Sequence, residues 1–70
     1  MKAKNERWAV WHRHCDDQIG ILRLNGSVVY AIEALQRSWA KEGKRTGCTY
    51  QVVQGGEIDA LHKAAKWEDR

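Results

Sequence analysis

The segment from residue 8 to residue 17 gathers most of the side chains in this chain that could do chemistry. It contains two of the four tryptophans, two of the three histidines and one of the two cysteines. Imidazole and thiolate groups hold zinc in proteins, and the candidate ligands are His12, His14 and Cys15, joined after folding by Cys48 or His62. In an extended strand, His12 and His14 share one face while Cys15 points to the other, and the paired C-x₂-C spacing is missing. We therefore predict no metal site.

The same segment also has the residue types of a catalytic site. His14 precedes Cys15, and an imidazole close to a thiol can activate it as a nucleophile. Asp16 and Asp17 form a carboxylate pair of the kind used in acid and base catalysis. Adjacent strand residues point to opposite faces, however, and adjacent acids at a hairpin tip are common turn residues. Because the pair Gly55-Gly56 matches no phosphate-binding fingerprint either, we predict a protein that is not an enzyme and uses no cofactor.

Size and composition limit the kind of protein this is. The 70 residues, 43% hydrophobic and 30% charged, fit one small domain over residues 1–70, with residues 1–6 expected to be frayed. No apolar run approaches the roughly 20 residues that cross a bilayer, and the charged N-terminus lacks the apolar core of a signal peptide. Two cysteines in such a chain fit free thiols in a reducing compartment. We therefore predict a cytoplasmic protein with no membrane partner.

The first half of the chain predicts a β-hairpin. Trp8–Cys15 is rich in aromatic and β-branched residues and is predicted as a strand, as is Gln18–Leu24 with its isoleucines and leucines. Asp16 and Asp17 between them favour a polar reversal. The two strands should therefore pair antiparallel.

A helix is predicted from about Ser27 to Glu42. Ser27 is a natural N-cap, and Gly43 a natural stop after the last turn. The helix carries an apolar stripe that can cover one face of the hairpin, formed by Val28, Ile32, Leu35 and Trp39. The pair Asn25-Gly26 is also a strong hairpin signal, so a third strand over residues 27–30 with a shorter helix from about residue 32 is the alternative.

The C-terminal third predicts one more strand and a short helix. Cys48–Gln54 is extended in type, and Gly55-Gly56 ends it. The stretch from Glu57 to Lys66 has helical spacing, with Ile58, Leu61, His62 and Ala65 as its repeating positions. The predicted fold is an α+β domain of order β-β-α-β-α. Its three-stranded antiparallel sheet has the order 2-1-3 and packs against the main helix.

This arrangement makes the first strand central and gives each of its faces a tryptophan, Trp8 on one and Trp11 on the other. One helix can cover only one face. The second face is therefore covered by the C-terminal helix, covered by a second molecule in a homodimer, or displayed to a partner.

Four tryptophans and two tyrosines without any phenylalanine favour a protein-binding module, because such side chains dominate interface hot spots. We expect it to inhibit or adapt a macromolecular partner through an aromatic sheet face. The predicted contact residues are Trp8, Trp11, His12, Arg13, His14 and Tyr50. Small chains of this kind, without catalytic motifs, are common among inhibitors and adaptors, including those encoded by phages and other mobile elements.

The alternative partner is nucleic acid. The net charge is +3, which is mild, but cations concentrate around the end of the main helix. The predicted phosphate-binding residues are Arg37, Lys41, Lys44 and Arg45. Trp39 lies among them and could stack on a base, although it also continues the apolar stripe.

Overall fold

The structure is a computed structural model that describes residues 6–68. It contains five elements: β1 (Arg7–Arg13), β2 (Gln18–Leu24), α1 (Val28–Lys41), β3 (Cys48–Gln54) and α2 (Glu57–Glu68). The strands form one antiparallel sheet of order β2-β1-β3. The predicted α+β fold, its element order and its strand order are confirmed.

The hairpin between β1 and β2 is closed by the two adjacent aspartates. Asp17 has a φ of 57°, a left-handed conformation that aspartate tolerates better than most residues. The Asp16 carboxylate accepts a hydrogen bond of 3.3 Å from the backbone N–H of Gln18. The strand ends at Arg13, two residues earlier than predicted, so His14 and Cys15 belong to the turn.

Helix α1 begins and ends at the residues that the sequence indicates. The Ser27 hydroxyl accepts a hydrogen bond of 3.3 Å from the N–H of Tyr30. After the last turn Gly43 has a φ of 78°, and the N–H of Lys44 donates to the carbonyl of Trp39 at 2.9 Å. This is the Schellman arrangement that a glycine favours. The alternative of a third strand at residues 27–30 is wrong, because the side chain of Ser27 caps the helix there.

The core on the α1 side is built from the predicted apolar stripe. Ile32 packs against Ala9 of β1 and Leu24 of β2, and all three are buried. Trp39, in the last turn of the helix, is also buried. Beside it, Gly20 of β2 lies opposite Trp11, whose indole fills the space that a Cβ would need. A larger residue than glycine would displace that ring.

Helix α2 covers the other face of the sheet. Val10, whose side chain points away from the α1 side, is completely buried, and Ala60 of α2 is as well. Trp67 of the same helix contacts His12 of β1. Of the three predicted arrangements for the second face of the sheet, the structure therefore shows the one in which the C-terminal helix covers it.

The predicted helix over Glu57–Lys66 is confirmed, but its apolar repeat does not face the sheet. Ile58, Leu61, His62 and Ala65 are all exposed, and Ala60 and Trp67 approach the sheet instead. Small residues allow a helix backbone to lie close to a sheet, whereas isoleucine and leucine would hold it away. The inward face of α2 is therefore small at Ala60 and carries the half-buried Trp67 near the end of the helix.

The ends of the chain are described only in part. The frayed segment expected at residues 1–6 lies outside the described residues except for Glu6, whose carbonyl accepts a hydrogen bond of 2.8 Å from the N–H of Gly55. Within residues 6–68, neither helix has the length and apolar character needed to cross a membrane.

Candidate functional site

The reactive-looking segment around β1 divides between the two faces of the sheet. On the α1 side, the rings of Trp11 and Trp39 meet edge to face, with centroids 5.1 Å apart. The Arg13 guanidinium lies 4.8 Å from the centroid of Trp39, within the range of a cation–π contact. Arg13 is only 4% exposed. A guanidinium so enclosed has little surface left for a partner.

The charge of Arg13 is neutralised by the turn. Its Nε donates to one carboxylate oxygen of Asp16 at 3.0 Å and its terminal nitrogen donates to the other at 2.8 Å. The same terminal nitrogen donates to the side-chain carbonyl of Gln18 at 3.1 Å. Donation by the Arg13 guanidinium to the Asp16 carboxylate lowers the pKa of Asp16 to about 2 and raises the pKa of Arg13. The hydrogen bonds among these three residues stabilise the β1–β2 turn.

The histidines on the α2 side are also engaged. His12 Nε2 lies 2.9 Å from a carboxylate oxygen of Asp17, and its ring meets Trp67 edge to face at 6.4 Å. His14 Nε2 lies 2.6 Å from the hydroxyl of Thr49 on β3. The two imidazole centroids are 5.7 Å apart, but each ring has a different partner.

The two thiols do not join the histidines. Cys15 is exposed in the turn, and Cys48 is half-buried on β3; both are free. Burial raises the pKa of Cys48, and its sulfur accepts a hydrogen bond of 3.7 Å from the side-chain amide of Gln36. Residues 6–68 contain no group of three or more His, Cys, Asp or Glu side chains placed to hold a metal ion.

The predicted partner-binding residues do not lie on one open surface. Trp8, His12 and His14 point to the α2 side, whereas Trp11, Arg13 and Tyr50 point to the α1 side. Trp8, Trp11 and His12 are half-buried, and the Trp8 indole donates to the carboxylate of Glu6 at 3.0 Å. Only His14 and Tyr50 remain exposed. The two helices thus cover both faces of the central strand β1, and Tyr50 on β3 is the one aromatic residue of the predicted set that is exposed.

The predicted phosphate-binding residues are all accessible. Arg37, Lys41, Lys44 and Arg45 are exposed, and Lys44 pairs with Glu42 at 3.3 Å. Trp39 is buried among Trp11 and Arg13, so it has no free ring face on which a base could stack. The end of α1 therefore presents positive charge but no exposed aromatic ring on which a base could stack.

Sequence reasoning assigned no binding role to two exposed aliphatic residues of α2. Ile58 and Leu61 on the outer side of α2 are 69% and 49% exposed, and with Ala65 they form what we call the α2 stripe. The available signal was the spacing of Ala60, Ala64 and Trp67, which repeats at four and three residues and marks a second face with two alanines and one tryptophan.

A second apolar surface lies on β3. Tyr50 and Val52 point to the α1 side and are 37% and 45% exposed. The two surfaces are on opposite sides of the sheet, so one ligand does not cover both. No protein family, curated protein or solved structure matches this chain.

Proposed function

We propose that this protein is a non-enzymatic protein-binding module that modulates a macromolecular partner through the α2 stripe. The observation that carries the proposal is the exposure of Ile58 and Leu61 on a helix whose opposite side is already packed on the sheet. A helix normally buries its larger aliphatic residues, so a reversed arrangement favours a second binding surface.

The spacing of the stripe suits recognition of a helix by a groove. Ile58, Leu61 and Ala65 follow one another at three and four residues, which aligns them along one side of a helix. The helix is fixed before binding, because the Asp59 carboxylate accepts a hydrogen bond of 3.0 Å from the N–H of Gly56 at its start. A prearranged helix loses little conformational freedom when it docks.

The polar side chains on one flank of the stripe indicate the chemistry of the partner. His62 and Lys66 are exposed on one flank, one turn apart. An apolar groove whose rim carries carboxylates next to Lys66 would complement this flank. We therefore infer a protein partner with an apolar groove and an acidic rim.

The experiment compares two matched double variants in co-purification from the cells that make the protein. Ile58→Ser/Leu61→Ser removes the stripe, and Val29→Ser/Tyr30→Ser removes two exposed side chains of α1 as the control. We expect a partner that is retained by wild type and by the control and lost from the stripe variant. Equal recovery by both folded variants would rule out the α2 stripe.

Nucleic acid is the second candidate partner. Arg37 and Lys41 lie one turn apart and Arg45 follows the helix, and none of the three forms an ion pair with a carboxylate within residues 6–68. Without a free aromatic ring, such a surface would bind phosphates with little dependence on sequence. Binding should fall steeply as salt rises, because neutralised phosphates release counterions.

The test is titration of duplex DNA, single-stranded DNA and RNA with wild type and with Arg37→Gln/Lys41→Gln. We expect a weaker affinity and a smaller salt dependence in the double variant. If wild type binds none of the three nucleic acids even at low salt, this candidate is eliminated.

A further inference from the structure

Strand β3 lies at the edge of the sheet, and within residues 6–68 no strand pairs with the backbone groups on its outer side. Its pairing with β1 is fixed at both ends, where the N–H of His14 donates to the carbonyl of Gly47 and the N–H of Gly55 donates to that of Glu6. In an antiparallel pair, the residues that bond to the neighbour alternate with residues that face away. The residues that face outward are therefore Cys48, Tyr50, Val52 and Gln54.

Nothing in β3 protects this edge. Edge strands usually carry charged side chains, proline or a bulge that prevents pairing with another chain. The seven residues of β3 include no charge, proline or glycine, and all seven pair with β1 in unbroken register. By contrast, the outer strand β2 contains Gly20 and an exposed Arg23 that pairs with Glu6 at 3.3 Å.

We propose that β3 pairs antiparallel with β3 of a second copy of this chain, about a twofold axis at Gln51. In this register each Tyr50 lies opposite Val52 of the partner copy, and each Cys48 lies opposite Gln54. These are the residues whose N–H and C=O groups face outward, so donors and acceptors meet across the axis. A shift by one residue in the pairing would place outward groups against inward ones.

The side chains of β3 also fit a second copy of the same strand. Tyr50 and Val52 lie on the same side of the sheet, so the pairing assembles two tyrosines and two valines into one apolar cluster. Aromatic and β-branched residues stabilise a sheet when they lie directly opposite each other. Because the strand has no charge, no like charges meet when it faces itself. These features favour a second copy over a different chain.

The resulting dimer would have a continuous six-stranded sheet and an isologous interface. Both α2 helices would lie on the same face of that sheet, so a dimer would present two α2 stripes side by side. The inference does not rest on the proposed function, since the β3 edge and the α2 stripe are separate surfaces.

The first test is the molar mass in solution, measured by light scattering across a concentration series. The chain has a mass of 8.1 kDa, and we expect wild type to rise from this value to twice this value. Val52→Lys should remain at the monomer mass, because lysine on an edge strand prevents pairing. Val29→Lys, which changes an exposed valine on α1, should dimerise like wild type, as should Ile58→Ser/Leu61→Ser.

The second test fixes the register by a disulfide. With Cys15→Ser and Cys48→Ala as background, Gln51→Cys places two thiols opposite each other on the twofold axis, where oxidised glutathione should join them. Thr49→Cys is the matched control on the same strand and the same face, and it should not join to itself because it lies opposite Val53. A monomer at every concentration would overturn the proposal, as would equal cross-linking of the two variants.

Discussion

The two faces of β1 carry the same kind of contact, in which a helix tryptophan meets a basic side chain that bonds to a turn aspartate. On the α1 side, Trp39 covers Arg13, which bonds to Asp16; on the other side, Trp67 contacts His12, which bonds to Asp17. Each helix thus brings a tryptophan near its C-terminus to a basic residue that is held by one of the two turn aspartates.

The difference between the sides lies in what the helices bury. Helix α1 places the buried Ile32 and Trp39 against the sheet, whereas α2 places Ala60 and a half-buried Trp67 there and leaves Ile58 and Leu61 in solvent. Because hydrophobic stabilisation follows the apolar area removed from water, the α1 side should carry most of the stability. The outer side of α2 is then available for binding without loss of the fold.

The sharpest test of this comparison makes one substitution on both helices. Ile32→Ala should lower the free energy of unfolding by about 2 to 5 kcal/mol, because it leaves a cavity beneath α1. Ile58→Ala should change it by less than about 0.5 kcal/mol, because the side chain is in solvent and alanine favours a helix. Denaturant unfolding of both variants at neutral pH measures the two values.

A comparable loss of unfolding free energy in the two variants would contradict the assignment of most of the stability to the α1 side. It would mean that Ile58 packs in the folded protein and that the α2 stripe is part of the core. A loss in Ile58→Ala alone would reverse the comparison.

The contrast between the helices also explains how much of this fold the sequence can predict. Helix α1 is marked by Ser27, Gly43 and a stripe of large apolar residues, and these local signals agree with its packing. In α2 the local signals conflict, because Ile58 and Leu61 form the more apolar face while Ala60 forms the face that fits. Which of these two faces turns inward depends on how closely α2 approaches the sheet, and this distance is set by the side chains of β1 and β2.

The candidate site was harder to predict for the same reason. The split of Trp8–Arg13 between two faces follows from strand alternation and is confirmed by the structure, whereas residues 14–17 lie in the turn. That both faces are then covered depends on where α2 docks, which no residue within the segment specifies.

Enlarging Ala60 tests how closely α2 lies to the sheet. Ala60→Leu should destabilise the protein by about 1 to 3 kcal/mol, because the enlarged side chain meets a sheet face with no free space. Ala65→Leu, the same change on the outer side of the helix, should alter stability by about 0.5 kcal/mol at most. Thermal unfolding of the two variants checks the difference.

If Ala60→Leu is as stable as Ala65→Leu, then α2 does not lie close to the sheet at Ala60. Its packing would then have to be assigned to another face.

The smallest expected effect distinguishes the two turn aspartates. The Asp16 carboxylate is 46% exposed and that of Asp17 is 86% exposed, so Asp16 has the stronger contact with the folded protein. Its pKa is lowered from 3.8 to about 2 by the hydrogen bond from Arg13. The resulting stabilisation is present above pH 3.8 and is lost as the pH falls towards 2.

Asp16→Asn should therefore lower the melting temperature of the protein at neutral pH and weaken its decline between pH 4 and pH 2. Asp17→Asn is the matched control, since asparagine also tolerates the left-handed backbone of residue 17. It should keep both the melting temperature at neutral pH and the wild-type decline in acid. The reverse ranking of the two variants would mean that the His12 side of β1, rather than the Arg13 side, holds the turn in place.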